Sequence, residues 1–274
     1  MSFDYERYGS SGGHKAPGGV DRNCPRGRAG VAGVGRRHET TADHNVRIVG
    51  GQMVSLLLTA FPVSGITTRR TRDADTAITS ELAGSGTIHD RLVARGYNAT
   101  SGNHYVRPVP ELAEPGWPVP ELAVDLLVPS LDGRFRPQEH GGRTFDSAPG
   151  IAPALIAEPI VIDVSARLLD ATVLEFVARA PTVELALVIK ALAYSARLQA
   201  RDVEDIYRLL EIAGTYAPDQ IGGWRLNETS LRGSRRDAAA HLHELAGHLR
   251  RATDANVPPA RLATLIAGLV SRPG

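Results

Sequence analysis

The chain has 274 residues, 42% of them hydrophobic and 22% charged, which is enough for one large domain or two smaller ones. Its 31 Lys and Arg against 30 Asp and Glu leave a net charge of +1, which excludes a strong bulk attraction to nucleic acid or to a membrane surface. A single cysteine, Cys24, excludes an internal disulfide framework and cannot by itself build a zinc site.

Residues 1–45 are rich in Gly, Arg, Ser and His and carry neither a helical nor a strand period, so a disordered tail is expected there. They lack the cationic-then-apolar order of a signal peptide, and the apolar run at 53–63 is too short to span a bilayer; a cytoplasmic protein without a membrane partner is expected. "GVAGVG" at 30–35 has no apolar strand leading into it and does not follow the dinucleotide-loop order.

Order is expected from residue 46. The β-branched stretch 46–49 reads as a strand, Gly50 and Gly51 as a tight turn, and 52–61 as a buried helix stopped by Pro62. Residues 73–78 read as a second strand, and 87–95 as a short helix closed by Gly96. Further strands are expected at "NHYVRPV" (103–109), 122–128 and 158–164, with the Pro-rich stretch between the first two as a loop. This order implies a mixed sheet with flanking helices, an α/β (α+β) domain over 46–180. From 181 to 274 four segments have helical periodicity and form a C-terminal helical domain. Asp202 and the pair Pro258-Pro259 mark helix starts.

The stretch "RRTRDADTAI" (69–78) poses the chemical question. On a strand, Asp73 and Asp75 point to the same side, where two carboxylates about 4 Å apart repel by roughly 1 to 4 kcal/mol. A divalent cation relieves that: Mg²⁺ takes hard oxygen ligands and is usually held by one or two carboxylates plus substrate phosphates. A solvated turn is the common alternative for an isolated Asp-x-Asp. Asp125 in "AVDLLV" and Asp163 in "IVIDV" each interrupt an apolar strand. Either is a candidate third carboxylate, and a solvent-facing position is the alternative for both. The small residues Gly50 and Gly51 at a strand-to-helix turn let backbone amides approach a phosphate, although such turns often need glycine for geometry alone.

Lys190 is the only charged residue between Glu184 and Arg197, in a helix apolar on nearly every face. Buried there it needs an anion, a phosphate or a carboxylate; snorkelling to the surface is the alternative. In "ARDVEDIY", Asp202 as N-cap with Asp205 three residues on reads as a capping-box-like start, which explains Asp202 fully and Asp205 only in part.

Together, Gly50-Gly51, "TRDAD", the aspartate-bearing apolar strand and "IKALAYSARLQARDVEDIYRLL" resemble the nucleotidyltransferase fold of the AbiEii-like toxin family, which includes toxins of the MenT type. The resemblance covers about residues 46–210. It implies a nucleotidyltransferase-type sheet and a Mg²⁺-dependent transferase that moves a nucleotide from a nucleoside triphosphate (NTP) to an RNA, such as a tRNA 3′ end, or to a protein. Such a protein would be the toxin component of a toxin–antitoxin or phage-defence pair, with an antitoxin protein as partner. It implies roles for Asp73 and Asp75 at metal and nucleotide, for Lys190 on phosphate and for Asp205 in completing the site, with Asp202 supporting. From the residues themselves, Asp125 is the candidate further metal ligand, with Asp163 the alternative third carboxylate, and Gly50, Gly51 and Arg70 or Arg72 are candidates to meet the triphosphate. A non-catalytic nucleotide-binding or interaction module on the same fold is the alternative.

"HLHELAGH" does not make a zinc helix. His243 and His248 are five residues apart, about 140° around a helix, where the zinc motif needs a spacing of four.

Overall fold

The computed structural model of the protein describes residues 46–69, 71, 73–110, 113, 116–167, 171–249 and 256–274, with only the backbone of Asp73 and Leu249. The expected tail with Cys24, the Gly-rich segment at 30–35, and Arg70 and Arg72 lie outside the described residues.

A short strand β1 (Arg47–Ile48) leads directly into helix α1 (Gly50–Ala60), and β2 (Asp73–Ala77) returns antiparallel to β1. Two short helices, α2 (Ser80–Gly84) and α3 (Thr87–Val93), precede β3 (Asn98–Ala99) and β4 (His104–Pro108). The long strand β5 (Glu121–Pro129) is the spine of the sheet. It runs parallel to β2 on one edge; along its other edge lie β4, antiparallel, and then β7 (Arg143–Ala148), parallel. β7 forms a hairpin with β6 (Arg136–His140). The sheet is thus mixed, as the element order implies.

Helix α4 (Ile151–Ile156) follows, then β8 (Ile160–Arg167) and β9 (Val173–Ala180). The expected strand at 158–164 runs on to Arg167 and pairs only with β9, forming a separate two-stranded ribbon. Its alternation explains the placement: Val164 and Ala166 are buried, whereas Val161, Asp163, Ser165 and Arg167 are exposed.

The C-terminal helices are α5 (Val183–Arg197), α6 (Ala200–Thr215), α7 (Gly233–Leu249) and α8 (Pro259–Leu269). Thr182 starts α5 by accepting a hydrogen bond from the Leu185 amide on Oγ1 at 3.3 Å. Pro258 and Pro259 start α8 as expected. Asp202 does not cap α6: Gln199 occupies the N-cap, and Asp202 sits in the first turn with its side chain turned to other partners. The physical reason is that two basic side chains of α5 compete for its carboxylate and outbid a backbone amide.

Strand alternation divides the sheet into two faces. Ile78, Tyr105, Leu126, Val128 and Phe145 form a core on the side of α2 and α3. On the other side Ala77 and Ala148 join one continuous core with Met53 and Leu57 of α1, Leu185 and Leu187 of α5, Ile206 and Leu209 of α6, and Leu242 and Ile266 of α7 and α8. That core crosses the compositional change near residue 180. Each large apolar side chain buried there contributes about 1.5–3 kcal/mol, so the helices are fastened to the sheet by many such terms. Arg47 adds a polar fastening: its buried guanidinium donates to the carbonyls of Leu155 and Ala157 at 3.2 and 2.9 Å, at the end of α4. Among the described residues no helix is long and apolar enough to cross a membrane.

Candidate functional site

The parallel pairing of β2 with β5 sets Asp73 opposite Ala123 and Asp75 opposite Asp125. Residues facing one another across neighbouring strands project from the same face, so the register brings Asp75 and Asp125 to one surface of the sheet. On the other edge of β5, the antiparallel register puts His104 opposite Asp125. The His104 Nδ1 and Asp125 Oδ1 are 2.6 Å apart, and both side chains are partly exposed. Asp163 stands exposed on the separate ribbon, so of the two candidate third carboxylates it is Asp125 that shares this face.

Asp75 lies against the start of α1. Gly50 has φ +66°, and a methyl group on it would overlap the Asp75 carboxylate. The Asp75 carbonyl also accepts the Val49 amide at 2.9 Å. A carboxylate at the positive end of an 11-residue helix is favoured by the helix dipole. A methyl group on Gly51 would overlap Arg69 and Thr71. Both glycines are thus required by the close approach of the protein's own side chains. The loop carrying Arg69 is pinned to α1, because Ser55 Oγ donates to the Arg69 carbonyl at 3.2 Å and Gln52 Nε2 to that of Thr71 at 3.3 Å.

Helices α5 and α6 supply a charged wall beside this face. Lys190 Nζ lies 2.8 Å from Asp205 Oδ2 and 3.5 Å from Asp202 Oδ1, and only 3% of its side chain is exposed. The anion that the apolar helix demands is therefore a pair of carboxylates. Asp205 also accepts two hydrogen bonds from Arg69, both 2.9 Å, and lies 3.6 Å from Arg208. Asp202 accepts two from Arg197, at 2.6 and 2.7 Å. Burial alone would raise the Asp202 carboxyl, but the Arg197 hydrogen bonds and the Lys190 charge prevail and hold it below the usual value. The hydrogen bonds it donates to Asp202 raise the Arg197 guanidinium, which also feels the charge of Asp75. Its side chain is 42% exposed, with Nε and Nη2 given to Asp202.

The structure thus brings together Gly50, Gly51, Asp75 and Asp125, with the backbone of Asp73. It places Lys190 and Asp205 behind them as a saturated buried pair. Sequence reasoning missed Arg69, Arg197 and His104. Arg197 was within reach, since seven residues is two helical turns and puts it on the same face of α5 as Lys190. Arg69 and His104 carry no local signal, because their partners come from loop path and strand register.

The donor set suits a hard divalent cation. Asp75 and Asp125 stand opposite one another across β2 and β5, and Mg²⁺ is usually held by one or two carboxylates together with substrate phosphates. Among the described residues no group of three or more His, Cys, Asp or Glu could hold a metal unaided. No protein-family model matches the chain, and a search of curated proteins finds no relative.

Proposed function

We propose that the protein is a Mg²⁺-dependent nucleotidyltransferase that moves a nucleotide from an NTP to a hydroxyl of an RNA or protein acceptor. The observation that carries this reading is the cross-strand pair Asp75 and Asp125 beside the glycine start of α1, with the partly exposed Arg197 near enough to feel the Asp75 charge. Acids for a cation next to a base for a polyanion suit phosphoryl chemistry, in which the protein chiefly positions groups and stabilises charge.

In this reading Asp75 and Asp125, with Asp73, hold the cation, which supplies charge neutralisation on the triphosphate. Arg197 meets the phosphates, its planar fork already oriented by Asp202. Lys190 acts from behind, holding Asp202 and Asp205 so that Arg197 and Arg69 are fixed. A carboxylate on the acid face takes the proton of the attacking hydroxyl, and pyrophosphate leaves as the new phosphoester bond forms. The likeness of the motif set to AbiEii-like toxins supports a toxin of a toxin–antitoxin or phage-defence pair, whose activity an antitoxin protein would restrain.

The test is incubation with Mg²⁺, each α-labelled triphosphate in turn, and total RNA or protein extract, beside an Asp75→Asn variant. Label should appear on one acceptor class with the parent protein and not with the variant. Triphosphate that binds but is never transferred would favour a nucleotide-binding module.

A further inference from the structure

The ribbon of β8 and β9 leaves Val161, Val173, Leu174, Phe176 and Val177 exposed. Only its inner face has a floor within the chain, where Val164, Ala166 and Ala178 cluster with Leu56 of α1. β9 lies beside β1 and α1, whereas β8 pairs with β9 alone, so β8 is the outer edge. That edge is eight residues long and free of proline, and no bulge interrupts its register with β9. Such an edge offers a row of backbone donors and acceptors to a further strand.

The charges on this strand are uncommitted. Asp163 and Arg167 are exposed on the outer face, and neither side chain has a hydrogen bond or ion pair among the described residues. Four strand residues span about 13 Å, so the two cannot pair with each other.

A strand that pairs antiparallel with its own copy has one residue facing itself on the two-fold axis, and that residue fixes the register. Centring on Asp163 opposes two carboxylates. Centring on Val164 sets Arg167 beside Val161, in a row that already ends in Arg179. Centring on Ser165 sets Asp163 against Arg167 of the second copy and, by symmetry, Arg167 against Asp163 of the second copy. Extended through the register of β8 with β9, each outer row then reads Val177, Asp163, followed by Arg167 and Val173 of the second copy. Each inner row reads Phe176, Val164, followed by Ala166 and Leu174 of the second copy. Exposed valines thus bracket each ion pair on one face, and the apolar rows run unbroken across four strands on the other.

We propose that β8 is a self-association edge, along which two copies of the chain join antiparallel about Ser165 into a four-stranded sheet. The charge pattern selects a second copy as the occupant and selects one register. A two-stranded ribbon alone is marginally stable, and added strands strengthen it. The pairing is independent of the nucleotidyl-transfer reading.

The experiment uses the full chain carrying Cys24→Ser, with Ser165→Cys or Val161→Cys added, under mild oxidation. Ser165→Cys should yield a disulfide-linked dimer, because opposed residues of an antiparallel pair have Cα atoms about 4.5–5.5 Å apart, within disulfide reach. Val161→Cys should not, since its two copies would lie about 26 Å apart. In sedimentation of the chain without added cysteines, Asp163→Arg turns both ion pairs into repulsions and should raise the dimer Kd about tenfold or more. Asp163→Arg combined with Arg167→Asp restores opposite charges and should recover the dimer. A parent protein that stays monomeric up to about 0.1 mM, far above a micromolar Kd, would overturn the proposal and leave the edge to a strand of a different protein. A dimer that cross-links through Val161→Cys instead of Ser165→Cys, or that is indifferent to Asp163→Arg, would place the contact elsewhere and overturn it too.

Discussion

Lys190 and Asp205 meet 2.8 Å apart in the interior of the helical part, where 3% of the lysine side chain and none of the aspartate side chain reach solvent. The lysine is therefore a structural centre. It neutralises two carboxylates that in turn orient Arg69 and Arg197.

Lys190→Met should accordingly destabilise the fold. Removing one partner of a buried ion pair costs about 3–5 kcal/mol, and the remaining arginines place this case near 3. Urea unfolding followed by circular dichroism measures it. A midpoint at or above that of the parent protein would show that the arginines alone satisfy both aspartates.

Gly50→Ala combines backbone strain with a collision. A left-handed backbone costs a non-glycine residue about 1–2 kcal/mol, and the new methyl group would overlap the Asp75 carboxylate. The collision is relieved by moving Asp75, so cation binding should fall by more than the stability loss explains. Mn²⁺ affinity of the folded variant in the presence of a non-hydrolysable triphosphate is the measurement; an unchanged value would place Asp75 outside the cation site.

What could be read from the sequence follows the range of the interactions. The four C-terminal helices were legible because each has its own helical period, and Pro258-Pro259 punctuates the start of α8. The demand of Lys190 for an anion was legible from its apolar neighbours, but the choice between phosphate and carboxylate was not: Asp202 and Asp205 reach it only because α6 folds back along α5. The hairpin of β6 and β7 escaped notice because "RPQEH" and "RTFDSA" are polar on one face and short. The pairing of Asp75 with Asp125 depends on register between strands some fifty residues apart, which no local pattern encodes. Asp125 and Asp163 looked alike in sequence; only the partner strand distinguishes them.

The acid side of the stability profile follows from Asp202 and Glu211. Asp202 is held below the usual carboxylate value despite its burial, by Arg197 and Lys190; Glu211 is held down by Arg261, which donates to it twice at 2.8 Å. A carboxylate depressed in the folded state contributes stability above its unfolded pKa and loses it as pH falls through the folded value. The contribution should be constant near neutral pH and decline below about pH 4. Thermal midpoints between pH 3 and 7 should fall less steeply for Asp202→Asn than for the parent protein. Parallel curves would mean that Asp202 has the same affinity for protons in both states.

Arg197 provides the sharpest division between a phosphate site and a merely structural charge network. Its guanidinium holds Asp202 with two donors, its side chain is 42% exposed and it feels the Asp75 charge, so a ligand can reach it, which is not true of Lys190. Arg197→Lys keeps the charge but loses the planar fork that can hold Asp202 and a phosphate together. Losing a charge-assisted hydrogen bond costs about 1.5–3 kcal/mol, so affinity for a non-hydrolysable triphosphate with Mg²⁺ should fall about ten- to a hundredfold. Part of that loss could come from loosening Asp202, and Arg261→Gln separates the effects. It breaks a comparable two-donor pair, between Arg261 of α8 and Glu211 of α6, that shares no partner with Arg197. Calorimetric titration of both variants should show triphosphate binding weakened by Arg197→Lys and untouched by Arg261→Gln, at similar losses of stability. Equal affinities in the two variants would assign Arg197 to the scaffold and leave the phosphate contact to other residues.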